Sequence, residues 1–129
     1  NGITLVRDYP DEPIEVYCNA NKIQQALISL LINSIEAMPN GGKITINLTT
    51  EKSNVILRVI DEGTGIADND LPHIFDPFYS TKTQSSGTGL GLAVAYGIIA
   101  NHSGKIEVEK TSSEGTTFKI TLPQNKQLC

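Results

Sequence analysis

Three short stretches carry side chains at spacings able to do chemistry. In "SSGTGLGLAVAYGI", residues 85–98, glycines stand at 87, 89 and 91 ahead of an apolar run of helical period. Glycine lets a backbone come close to a ligand, and the free N–H groups at a helix start, with the helix dipole behind them, favour phosphate. A P-loop would require G-x-x-x-x-G-K-[ST], which the chain lacks. A dinucleotide fingerprint would require G-x-G-x-x-G after a strand; here Leu92 stands where the last glycine belongs, and a loop precedes it. Spacing alone leaves two readings open: a phosphate cradle, or a flexible loop with a close helix contact.

The second stretch, "DEGTGI" at 61–66, places a carboxyl group at a strand end with glycines two and four residues on. Asp61 there could accept hydrogen bonds from an exocyclic amine, while Gly63 and Gly65 open room for a flat base. A plain D-x-G-x-G turn has the same spelling. The third is a polar stripe, Ser29, Asn33 and Glu36, at i, i+4 and i+7 on an otherwise apolar helix. An asparagine carbonyl oxygen suits Mg²⁺, which keeps most of its waters and takes phosphate oxygens for the rest. The competing reading is a solvated stripe.

The elements that must position these groups follow from periodicity. "GITLVRDY" and "IEVYC" at 14–18 alternate apolar and polar residues and read as short strands. From 21 to 38 the period changes: Ile23, Leu27, Leu30, Leu31 and Ile35 form one face of a helix that Asn19 or Asn21 can cap and "PNGG" stops. "KITINLTT" and "NVILRVID", joined by "EKS", make a hairpin running into "DEGTGI". Residues 68–74 hold one helical turn or two, and "DPFYSTKTQSSG" has neither period and reads as a loop. A helix over 90–101 stops at Gly104, and "KIEVEK" with "TTFKITL" closes the chain as a hairpin around "SSEG". The order β, β, α, ββ, loop, α, ββ does not alternate as a doubly wound fold would. It predicts an α+β two-layer sandwich, a mixed and largely antiparallel sheet with helices on one face.

At 129 residues the chain is expected to be a single domain, 1–129, with a core of its own. A net charge of −4 gives no electrostatic footprint for nucleic acid. No apolar run approaches the ~20 residues of a membrane helix, so no direct membrane contact is expected. Cys18, placed in the second strand, and Cys129 show no ligand spacing and read as incidental thiols of a reducing compartment. A start at Asn1 that enters strand-like sequence at once suggests a piece cut from a longer protein.

Taken together, the motifs resemble the catalytic and ATP-binding domain of bacterial sensor histidine kinases, in the GHKL ATPase superfamily with its Bergerat fold. Four boxes match in order: an N box at 24–38 in "QALISLLINSIEAM", a first glycine box at 61–66, an F box at 74–82 in "IFDPFYSTK", and a second glycine box at 87–92. The closing hairpin also resembles the family's. "NSIEAMP" and "FDPFYSTK" are most similar to a nitrogen-regulation-like branch.

The resemblance implies ATP and Mg²⁺ as ligands. Asn33 would hold the metal and Asp61 the adenine amino group, with Gly63, Gly65 and Ile66 lining the base. Gly87, Thr88, Gly89, Leu90 and Gly91 would meet the phosphates, and Thr117 would also contact the nucleotide. Phe75 and Phe78 would hinge and anchor a lid, 79–88, and Lys82 would act catalytically at the γ-phosphate. The implied function is transfer of that phosphate to a histidine on a separate dimerisation domain, upstream of a response regulator receiver domain, in the cytoplasm, whether or not the full-length protein is anchored. His73 and His102 lack the setting of a phosphoacceptor and read as structural or surface residues. Two positions depart from the family: Ser29 where a second asparagine is frequent, and Glu36 where a lysine is frequent. Gyrase-like ATPases place a glutamate at the Ser29 position to orient water, which a serine cannot do. A GHKL-type ATPase and a nucleotide-gated interaction module are the alternatives.

Overall fold

Asn19 caps the first helix: its side-chain oxygen accepts the N–H of Lys22 at 3.2 Å, satisfying one of the free donors of the first turn. Helix α1 runs Ala20–Glu36, about 26 Å, and ends at Ala37, whose N–H reaches the carbonyls of Asn33 and Ser34. The computed structural model describes residues 2–11, 14, 16, 18–76 and 91–124. Its other elements are β1 (Ile3–Asp8), β2 (Gly42–Glu51), β3 (Asn54–Asp61), a 3-10 turn at Leu71–His73, α2 (Gly91–Asn101), β4 (Lys105–Ser112) and β5 (Gly115–Pro123).

The strands form one sheet in the order β1-β2-β3-β5-β4. Strand β1 lies parallel to β2, and every other pairing is antiparallel. The β2–β3 hairpin closes through Lys52 and Ser53, at φ 51° and 71°, the backbone handedness that matches the twist of its strands. Alternation then divides the sheet. Ile44, Val59, Ile106, Phe118, Ile120 and Leu122 are buried on one face beneath Ala26 and Leu30 of α1 and Ala95, Ile98 and Ile99 of α2. The opposite face carries Asn47, bonded to Asp8 at 2.9 Å, and Arg58, paired with Glu109. The result is the expected α+β sandwich with helices on one face.

Two expectations need correction. Ile14, Val16 and Cys18, the described residues of the expected strand 14–18, carry no strand pairing, and Cys18 is exposed. Ile14 and Val16 instead line an apolar cavity of about 120 Å³ with Ile23, Leu27, Leu57 and Leu122. Period-2 alternation records which side chains face the core, and it is met equally by extended chain without a ladder. On α1 the fully buried stripe is Ala26, Leu30 and Ser34, whereas Ile35, expected in the core, is 41% exposed beside Ile28 and Ile32. Those three isoleucines point away from the sheet.

Both histidines have structural settings. His102 Nε2 accepts the Asn19 N–H at 3.0 Å while Nδ1 lies 2.8 Å from the Ile98 carbonyl, so the end of α2 ties down the cap of α1. His73 Nδ1 lies 3.2 Å from Asp76 on the surface.

Phe118 is 0% exposed at the centre of the sheet, with its ring 6.4 Å from that of Phe75. Truncation of Phe118 to alanine is expected to cost about 3–5 kcal/mol. Urea unfolding followed by circular dichroism checks this, with a loss below about 1 kcal/mol contradicting the packing described.

Candidate functional site

Strand β3 ends at Asp61, and alternation sets Asp61 on the helix-covered face after Val55, Leu57 and Val59. The residue is 4% exposed. Its Oδ1 accepts the backbone N–H of Gly63 at 2.9 Å and that of Thr116 at 3.1 Å. Both bonds use one oxygen, and among the described residues no donor reaches Oδ2. A buried acceptor held rigid on one side and open on the other is the arrangement that binds a ligand N–H.

The turn after Asp61 is pressed between two elements. A Cβ on Gly63 would lie 2.6 Å from the Cβ of Ala37, and Thr64 donates its N–H to the Ala37 carbonyl at 3.3 Å. Gly65 has φ +84°, and a Cβ there would collide with the Ser112 carbonyl, so both space and handedness demand glycine. The N–H of Ile66 bonds Thr111 Oγ1 at 3.0 Å. The "DEGTGI" segment is thus more than a turn: its backbone fits the end of α1 on one side and the β4–β5 hairpin on the other.

Helix α1 links this turn to the second glycine box. Ser29, Asn33 and Ala37 stand at i, i+4 and i+8, one stripe along the helix. Ala37 touches Gly63 at one end, and the Ser29 Cβ lies 4.0 Å from where a Gly91 Cβ would be at the other. Half-buried Asn33 falls between them. Among the expected site residues, Gly63 and Gly91 therefore meet the two ends of one stripe of α1 that carries Asn33, while Asp61, Gly65 and Ile66 are held to Gly63 by the turn itself and by the β4–β5 hairpin. Phe75 packs against the core, its ring 5.3 Å from that of Tyr96 on α2. Phe78, Lys82, Gly87, Thr88, Gly89 and Leu90, with the lid at 79–88, lie outside the described residues.

Thr117 pairs with Ile60 on the outer face of the sheet, while Thr116, 5% exposed, faces the helices beside Asp61. Counting by two from Phe118, a clear core residue, would have found Thr116 in the sequence. Thr111, bonded to Thr116 at 2.9 Å between hydroxyl oxygens, had no such signal. Ser34 is a further polar residue of this region, 0% exposed, with Oγ buried and unpartnered among the described residues. On the outer face, the hydrogen bond from Arg58 holds the Glu109 carboxyl below its ordinary value, and the same bond raises the Arg58 guanidinium.

The family model described as "Histidine kinase-, DNA gyrase B-, and HSP90-like ATPase" matches residues 18–126. Sporulation kinase E of Bacillus subtilis (strain 168) is 40% identical over 124 residues, covering 95% of this chain and 16% of that protein. The sensor histidine kinase ZraS of Escherichia coli (strain K12) is 37% identical over 111 residues, 86% of this chain and 23% of its own length. The chain thus spans less than a quarter of the length of these curated relatives. Among solved structures, the nucleotide-free catalytic domain of histidine kinase ThkA superposes with a TM-score of 0.83 at 36% identity, over 95% of this chain and 79% of that one. These relatives support the family without separately supporting the nitrogen-regulation-like branch. Among the described residues no helix is long and apolar enough to cross a membrane.

Ser34 carries its own prediction. Removing a buried hydroxyl that has no partner relieves a desolvation cost, so Ser34→Ala is expected to raise the stability of the nucleotide-free chain by about 1 kcal/mol. Urea denaturation decides it, and a loss of similar size would show that the hydroxyl is bonded in solution.

Proposed function

The chain belongs to the histidine kinase-, DNA gyrase B- and HSP90-like ATPase family, and on that premise we propose that it binds Mg·ATP and presents the γ-phosphate to a histidine on a separate dimerisation domain, as the catalytic part of a two-component sensor kinase. The observation that carries this reading is Asp61: a buried carboxyl group whose Oδ1 is fixed by two backbone N–H groups and whose Oδ2 has no donor among the described residues. Adenine offers the matching donor in its exocyclic amine. Gly63 and Gly65 let the turn that follows Asp61 close tightly on Ala37 and Ser112, where a side chain would strike, and so hold the Asp61 carboxyl in place for the base.

The phosphate end of the nucleotide would lie toward Gly91, where α2 begins against Ser29. The first N–H groups of that helix and its dipole favour negative charge, and Gly87, Thr88, Gly89 and Leu90, which precede it in the sequence, would meet the phosphates with it. Between base and phosphates sits Asn33. Its carboxamide oxygen suits Mg²⁺, an ion that takes one or two protein ligands and completes its shell with water and phosphate. Bound there, Mg²⁺ would neutralise phosphate charge. Lys82 would act on the γ-phosphate.

Phosphoryl transfer is chiefly positioning and charge neutralisation, so a domain of this kind needs little more than a fixed base, a fixed metal and a route for the nucleophile. A neutral imidazole attacks without strong activation. Ser29, beside Gly91, has no acid–base capacity at neutral pH with which to prepare water, which favours transfer over hydrolysis. His73 and His102, bonded as described above, are not offered as acceptors, so the histidine is assigned to another domain of the full-length protein and the next acceptor to a receiver domain. The named relatives are kinases far longer than this chain, which accords with a partner domain carried on the same polypeptide.

With labelled ATP and a separately produced dimerisation domain, the expected product is phosphate on histidine; free phosphate alone would support an ATPase, and bound nucleotide without either an interaction module. Asp61→Asn, which turns the adenine-facing side from pure acceptor to mixed, is expected to weaken ATP binding by about 10- to 150-fold, the worth of a hydrogen bond to a charged group. Calorimetry checks it. Unchanged affinity would remove Asp61 from the site.

A further inference from the structure

Strand β4 contains one residue too many for its partner. Val108 pairs with Phe118 and Lys110 pairs with Thr117, so Glu109 is a β-bulge. Ahead of it, Ile106 and Val108 share the core face with Ile120 and Phe118. Without the extra residue, strict alternation would carry Lys110 onto that face and turn Thr111 outward. The bulge reverses the parity: Thr111 now stands opposite Thr116, on the side of Asp61. Glu109, the inserted residue, is held on the outer face by a two-pronged bond to Arg58, at 2.8 Å to Nε and 3.2 Å to Nη2.

The reversal gives Thr111 two partners. Its Oγ1 accepts the Ile66 N–H at 3.0 Å and lies 2.9 Å from Thr116 Oγ1. The glycine turn is therefore pinned at both ends by one hairpin, at Asp61 through the Thr116 N–H and at Ile66 through the Thr111 hydroxyl. Between these points Gly65 rests against the Ser112 carbonyl. With Thr111 Oγ1 already accepting, its proton is available to Thr116, which leaves the Thr116 proton for an acceptor on a ligand.

We propose that Thr111 is a positioning residue for the nucleotide site, brought to it by the Glu109 bulge, whose hydroxyl sets the width of the adenine slot by holding Ile66. This rests on the ATP-binding reading and deepens it. Thr111 touches only protein, so its effect falls on the base and is the same for adenosine, ADP and ATP.

The test compares Thr111→Val, which keeps the shape and removes the hydroxyl, with Thr111→Ser, which keeps the hydroxyl, in the 129-residue chain. Binding of adenosine and of Mg·ATP is measured by calorimetry, and exchange of the Ile66 amide by NMR. Valine is expected to weaken both ligands by the same factor, about five- to tenfold for one hydrogen bond, and to speed Ile66 exchange. Serine is expected to stay within about twofold of the parent. Valine affinity equal to the parent's overturns the proposal even if thermal stability falls, since that is what a purely structural threonine would give. A loss for ATP alone overturns it too, by moving the effect to the phosphates. If valine does not fold, the parent decides: an Ile66 amide exchanging in the nucleotide-free chain as fast as an open loop overturns the proposal, and strand-like protection supports it. A parent chain that binds neither ligand overturns the ATP reading itself and this inference with it.

Discussion

A single carboxyl oxygen organises this molecule's functional end. Asp61 Oδ1 gathers the N–H groups of Gly63 and Thr116, one from the turn that follows it and one from a strand fifty-five residues later. A buried acceptor must be satisfied, and satisfying it locally leaves the second oxygen for something else. The glycines follow from that geometry: the turn can close over Asp61 only if Gly63 lies flat on Ala37 and Gly65 takes a left-handed backbone under Ser112. The same arrangement is the one proposed to receive the amine of a flat base.

Helix α1 connects this turn to the second glycine box, and the proposed nucleotide site spans the two. Its contacts with Gly63 through Ala37 and with Gly91 through Ser29 are two helical turns apart, about 12 Å by the rise per residue. The helix is held at its far end by the Asn19 cap and by His102, and along its core side by Ala26 and Leu30 at 0% exposure. Stability and function therefore share one element. Its buried stripe anchors the sandwich, while the adjacent stripe carries Asn33 between the two boxes.

Much of this was legible in the sequence, for identifiable reasons. Helix α1 and the β2–β3 hairpin each have a strong period and a clear stop, and α2 is an apolar run ended by Gly104, so their existence and approximate bounds are readable directly. Gly63 and Gly65 stand out because a side chain at either would collide with Ala37 or Ser112. The errors share one cause, that period alone does not say what a segment pairs with. Ile14 and Val16 alternate like a strand but face a cavity without a ladder. Ile35 matches the helical period yet lies outside the core. Thr116 can be placed on the core face by counting from Phe118, but Thr111 has no such signal, because one inserted residue, Glu109, reverses the alternation on which such a reading depends.

The central claim is convergence: base, metal and phosphate groups of one nucleotide meet residues ranged along one helix. Titrating the ¹⁵N-labelled chain with Mg·ADP tests it most directly, by following the backbone amides of Gly63, Asn33 and Gly91 together. The three should shift along one saturable curve with a common Kd. Shifts confined to one of them, or midpoints that differ between Gly63 and Gly91, would mean that the two glycine boxes do not serve the same ligand.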